Sequence, residues 1–144
     1  MYDVIAKMAE FKLSVIPILD QQENYLGCCS VYHVMTLLAN TGSIKENGGI
    51  LVLEMNASDY TLSQIAQIVE SNNARILSVF ITSHLDSTKI DVTLKVNSYD
   101  LTSIIRTFER YDYLVKASFR DGHGDEDSQE RVKEEARKFV SKDK

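Results

Sequence analysis

Ser30 and His33 stand three residues apart, so on a helix they share a face, and a hydroxyl beside an imidazole is the start of a nucleophile and base pair. Such a pair needs an acid to orient the ring, and the sequence identifies no buried acid for that role, which argues against a hydrolase. Cys28 and Cys29 are adjacent, a spacing that strains a mutual disulfide, and they are the chain's two cysteines. They are expected as reduced thiols in a buried strand. His33, His84 and His123 are too scattered for a zinc site. The Asp-Gly-His-Gly-Asp-Glu-Asp run at 121–127 invites calcium, but its spacing fails and Ala136 stands where the closing Glu of a calcium loop belongs, counting from Asp125. No phosphate-binding G-x-x-x-x-G-K-[S/T] loop occurs, and Gly48-Gly49 precedes a strand pattern. The expectation is a protein that is not an enzyme and binds no metal.

Composition narrows the remaining classes. The 144 residues are 44% hydrophobic, enough for one domain or two small ones, and the single Pro and six Gly are not the makings of a disordered chain. A formal net charge of −5 with both signs interspersed disfavours a nucleic-acid partner, which requires a basic face. No apolar run approaches the roughly 20 residues of a membrane span and no signal peptide is visible, so a cytoplasmic protein without membrane contact is expected.

Patterning then supplies the elements. Residues 3–11 carry a helical stripe of Val4, Ile5, Met8 and Ala9; residues 13–19 and 25–29 read as strands around a polar turn; Ser30 is placed to cap a helix to about Ala39. The Gly-, Ser- and Asn-rich stretch before residue 49 is a linker signal. Beyond it lie a nearly all-apolar strand (50–55), a helix opened by a Thr61–Gln64 capping box with Leu62, Ile65, Ala66 and Val69 on one face, and a strand at 75–82. An alternating strand at 89–96, a helix opened by Asn97 or Ser98 with Leu101, Ile104, Ile105 and Phe108 inward, and a strand at 113–119 complete the order. The order β-α-β-β-α-β over about 70 residues predicts an α+β, ferredoxin-like unit. Asp127 with Glu130 opens a charged tail helix bearing Val132, Ala136, Phe139 and Val140.

The run Val15-Ile16-Pro17-Ile18-Leu19-Asp20 followed by Leu26-Gly27-Cys28-Cys29-Ser30 resembles the second half of a CBS domain. Residues 49–119 resemble an ACT domain in element order, length and the turn from Asn56 to Leu62. Together the two are similar to bacterial CBS-ACT proteins of the acetoin-utilisation type. The resemblance implies residues 1–42 as the closing part of a CBS domain, 43–48 as linker, 49–119 as an ACT-like domain and 120–144 as an acidic turn with a charged helix. It also implies a longer parent protein or a trimmed sequence, since a CBS unit has an earlier segment and works as a pair.

For CBS repeats, the resemblance implies adenine-nucleotide contacts at Ile16, Pro17, Ile18, Ser30 and His33, although His33 stands where the family carries an Asp that holds the ribose. Ser30 reads equally as a plain helix cap and His33 as a partly exposed helical residue. For ACT domains, it implies amino-acid contacts near Asn56, Ser58, Asp59 and Tyr60, although the family's Gly at the helix start is here Tyr60 or Thr61. The first three also read as turn and capping residues. The expected function is regulatory: a homodimer sensing an adenine nucleotide or an amino acid as regulatory ligand, with no cofactor, or a ligand-free dimerisation scaffold. The alternating strand from Ile90 to Val96 is the one expected to join two copies.

Overall fold

A computed structural model describes residues 1–121 and Arg137. The chain divides into two compact units, Met1–Glu46 and a second beginning at Asn47. The described residues form a mixed α+β structure with five helices and two antiparallel sheets. The tail helix expected at 127–140 and the 121–127 run lie, beyond Asp121 itself, outside the described structure apart from Arg137, which is helical and exposed.

The first unit runs α1 (Tyr2–Glu10), β1 (Val15–Leu19), β2 (Tyr25–Ser30), α2 (Val31–Ala39) and a short α3 (Gly42–Lys45). β1 and β2 form an antiparallel hairpin in which Ile16 faces Cys29, Pro17 faces Cys28 and Ile18 faces Gly27. The polar turn closes on Asp20, whose carboxylate accepts from the backbone N–H groups of Gln22 and Asn24 at 2.8 Å each and from the Asn24 amide at 3.0 Å. These bonds, led by the Asn24 side chain, hold the Asp20 carboxyl below its usual range. Met8 is the one buried hydrophobic side chain of this unit, while Leu19, Tyr25, Leu26, Tyr32, Met35 and Leu37 are exposed. Cys28 is exposed and Cys29 half-buried, which corrects the expectation of buried thiols. Two strands and three short helices do not enclose a strand on both faces.

The second unit runs β3 (Gly48–Asn56), a 3-10 turn (Ala57–Asp59), α4 (Leu62–Ser71), β4 (Ile76–Ser83), β5 (Lys89–Val96), α5 (Thr102–Arg110) and β6 (Leu114–Asp121). Its sheet has the order β4-β5-β3-β6 with every neighbouring pair antiparallel. The alternation of β5 buries Ile90, Val92, Leu94 and Val96 on one face, and paired Leu51 and Leu53 of β3 bury beside them. Ile65, Ile68 and Val69 of α4 and Ile104 and Phe108 of α5 pack into the same cluster, so both helices cover one face of the sheet. Phe108 is fully buried; its truncation to Ala would cost about 3–5 kcal/mol in transfer and cavity energy.

Three local expectations are corrected. Residues 43–48 hold the division between the two units, after Glu46, but are not a plain linker: α3 takes in 43–45, and Gly48 and Gly49 are already strand, buried where β3 passes Val96 and Leu101. Thr61 is the N-cap of α4 but makes no side-chain cap bond, and Gln64 is used elsewhere. α5 begins at Thr102 because Asn97 spends its side-chain oxygen on the Arg75 N–H at 2.6 Å, while Asp100 accepts from the Thr102 N–H at 3.0 Å.

A fourth correction concerns association. β5 is paired on both sides, to β3 and to β4, and therefore has no free edge to offer a second copy. The clean alternation of Ile90 to Val96 comes from one face of β5 being buried in the core beneath the helices. The edges of the sheet are β4 and β6.

Candidate functional site

In the first unit, Ser30 is the N-cap of α2 and forms a reciprocal cap with His33. The Ser30 Oγ accepts from the His33 N–H at 3.3 Å, and His33 Nδ1 accepts from the Ser30 N–H at 3.2 Å. With Nδ1 as acceptor the ring proton belongs on Nε2, and the Ser30 hydroxyl, 2.8 Å away, shares the one Nδ1 lone pair with the Ser30 N–H. That distance suits a nucleophile and its base, yet the other two bonds satisfy backbone N–H groups at a helix start. Ile16 is half-buried and Pro17 and Ile18 are exposed on the hairpin. The hairpin and the helix start thus set Ile16, Pro17 and Ile18 beside the strand that ends on Ser30.

A cleft of about 410 Å³ opens in the second unit. It is lined by Glu54, Met55 and Asn56 from the end of β3, Asp59 from the following turn, Gln64 from α4, Lys89 from β5 and Tyr111 to Leu114 between α5 and β6. The turn is pinned from below by the Ala57 N–H donating to the Thr88 carbonyl at 2.9 Å. Within it the Asn56 amide donates to one Asp59 oxygen at 3.0 Å and the Ser58 hydroxyl to the other at 3.2 Å. The Asp59 carboxylate is therefore held in one orientation in the lining of the cleft.

The opposite wall turns sharply at Asp112, whose φ of 62° lies in the left-handed region. Tyr113 then places its ring edge-on to Phe108, with centroids 5.5 Å apart, and its hydroxyl donates to Gln64 Oε1 at 2.9 Å. Burial pushes the Tyr113 phenol above its usual range, so it stays a neutral donor. Also in the lining, Lys89 donates to Glu54 at 2.6 Å. That bond holds the Glu54 carboxyl below its ordinary range. Three carboxylates, Glu54, Asp59 and Asp112, face one ammonium, Lys89, in this lining. The excess is negative.

Of the four residues singled out for amino-acid contact, Asn56 and Asp59 line the cleft, Ser58 braces Asp59, and Tyr60 packs against the hydrophobic core. Patterning missed Gln64, Tyr113, Glu54 and Lys89. Glu54 carries the one available signal, a carboxylate interrupting an otherwise apolar strand. Next to the cleft, Lys116 donates to Asp91 at 2.8 Å and His84 Nε2 lies 3.1 Å from the same oxygen. Lys116 holds the Asp91 carboxyl low, with His84 adding to the effect, while the second Asp91 oxygen is buried without a hydrogen-bond partner among the described residues.

No protein-family model matches the chain, and no curated protein matches it. No helix among the described residues is long and apolar enough to cross a membrane. Among the described residues no group of three or more His, Cys, Asp or Glu side chains is arranged to hold a metal ion.

Proposed function

We propose that this chain is a regulatory sensing module, not an enzyme, whose second unit is an ACT-like domain of ferredoxin-like type that takes an amine-bearing small molecule of the amino-acid class in the cleft at the end of β3. The observation that carries this reading is the Asp59 carboxylate, fixed by Asn56 and Ser58 in the lining of a cavity that has an excess of negative charge. A fixed anion needs little reorganisation to meet an ammonium group, and the walls of Met55, Tyr111 and Leu114 supply apolar surface for a side chain. The Asn56 amide, which keeps a second N–H beyond the one given to Asp59, is a neutral donor suited to a carboxylate on the same ligand. The volume suits a small molecule.

The CBS-like first unit is proposed as the place of a second signal, an adenine nucleotide at Ile16, Pro17, Ile18, Ser30 and His33. The helix start at Ser30 offers backbone N–H groups to an anion. Titration of the full chain with amino acids and with adenine nucleotides, using Asp59→Asn and His33→Ala, separates the two sites.

One observation favours the alternative of a ligand-free scaffold. The first unit leaves Leu19, Tyr25, Leu26, Tyr32 and Met35 exposed, far more apolar surface than a lone stable domain needs to show. Failure of all the ligands to bind, together with self-association through this surface, would establish that alternative in place of the sensor.

A further inference from the structure

In the second unit α4 and α5 cover one face of the sheet, and the other face holds the residues that alternate with the core. The strand register sets them in rows: Phe80, Thr93, Val52 and Ala117 form one row across the four strands, and Ser78, Lys95, Ile50 and Phe119 form the next. An antiparallel sheet that meets water on one side is polar on that side. Here Phe80 is 63% exposed and Phe119 57%, with Ile50 and Val52 half-buried between them. Lys95, in the same patch, is only 9% exposed. A lysine buried to that degree calls for a carboxylate beside it. Glu54 and Asp91 serve the far end of the face, where they hold Lys89, Lys116 and His84. Asp91 is four residues from Lys95 along β5, about 13 Å.

The chain itself carries a segment that matches this patch in position, length and charge. β6 ends at Asp121, two residues past Phe119 and so beside the row that holds Lys95. Gly122 and Gly124 open the connection that follows, and residues 122–126 can reach up to about 17 Å, where neighbouring strands lie about 4.8 Å apart. From 127 to 140 the sequence puts Val132, Ala136, Phe139 and Val140 on one helical stripe, with Asp127 and Glu130 at its start. A helix of that span measures about 21 Å, against about 15 Å across four strands and about 26 Å along eight residues of β5. Arg137, which is helical and exposed, falls off the stripe, as a helix seated on the sheet requires. A tethered segment also arrives at a high effective concentration, an advantage no separate partner has.

We infer that residues 127–140 form a helix that docks on the helix-free face of this sheet, its acidic start beside Lys95 and its apolar stripe on Ile50, Val52, Phe80 and Phe119. This cover is independent of the cleft and of any ligand there. The test is thiol reactivity in the full chain with Cys28 and Cys29 both changed to Ser. Thr93→Cys, in the middle of the face, should react with a maleimide about tenfold or more slowly than Leu85→Cys, whose position is 98% exposed. Adding Phe139→Asp should speed the Thr93→Cys reaction about tenfold, adding Arg137→Asp should not, and the rates should be the same on dilution of the protein. Ala136→Cys should form an intrachain disulfide with Val52→Cys or with Thr93→Cys, and Arg137→Cys with neither. Thr93→Cys reacting as fast as Leu85→Cys, a rate indifferent to Phe139→Asp, or absence of both Ala136→Cys cross-links would overturn the inference. Faster reaction on dilution alone would also overturn it, by assigning the cover to a second copy.

Discussion

Tyr113 donates its hydroxyl to Gln64 across 2.9 Å and thereby ties the chain entering β6 to the first turn of α4 in the lining of the cleft. The two residues are 49 positions apart, and neither has a local reason to face the other. Their bond fixes the width of the cavity. It also replaces the capping role that the Thr61–Gln64 spacing suggests, because one amide oxygen cannot turn back to the helix start and meet Tyr113 with full strength.

Tyr113→Phe keeps the ring against Phe108 and removes only the hydroxyl. Urea denaturation should show a loss of about 0.5–1.5 kcal/mol, the net value of an ordinary hydrogen bond. Ligand affinity should fall as well, because the wall is no longer fixed. An unchanged urea midpoint with unchanged affinity would remove the bond from any role in the site.

Gly48 and Gly49 should respond differently to Ala. A Cβ on Gly48 would overlap the backbone carbonyl of Val96, whereas a Cβ on Gly49 would meet the Leu101 side chain at 2.5 Å. A side chain can swing away and a paired strand cannot. Gly49→Ala should therefore cost about 1–3 kcal/mol as ordinary overpacking, and Gly48→Ala more than that. Equal denaturation midpoints for the two variants would contradict the close approach of β3 to β5.

Much of this framework is legible in the sequence. The β-α-β-β-α-β order follows from the alternation of Ile90 to Val96 and from the stripes of Ile65 with Val69 and Ile104 with Phe108, since burial of one face writes itself into spacing. The helix cap at Ser30 is equally local. The cleft is only half legible. Asn56, Ser58 and Asp59 mark a turn, but Gln64, Lys89 and Tyr113 reach it from separate strands and helices, and that meeting depends on sheet order. The same dependence explains why β5, with the cleanest strand pattern, is interior: alternation reports which face is buried and says nothing about which edge is free.

The Glu54, Asp91 and Lys116 cluster should impose a pH window on stability. Hydrogen bonds from Lys89 and Lys116 lower the two carboxyls, so their contribution is complete above the ordinary carboxylate range and is lost as pH falls through the lowered values. Asp91 raises Lys116 above its ordinary value of 10.5, so that contribution is complete below it and is lost as pH rises through the raised value. Denaturation midpoints followed in acid should fall less steeply for Asp91→Asn than for the unaltered chain. The same slope in both would exclude Asp91 from acid sensitivity.

Ser30→Ala should destabilise α2 by about 1 kcal/mol through loss of the N-cap. Under the nucleotide reading of the first unit, the same substitution also weakens AMP binding, measurable by calorimetry. A loss of stability with AMP affinity unchanged would leave Ser30 as a cap alone.

The most direct test of the sensing function is calorimetric titration of the full chain and of Asp59→Asn with a panel of amino acids and with the corresponding N-acetyl derivatives. Saturable binding of at least one free amino acid is predicted, weakened about tenfold or more by Asp59→Asn and by N-acetylation, because both remove the pairing of ammonium with carboxylate. Heat traces without saturation for every member of the panel, or binding indifferent to both changes, would contradict it.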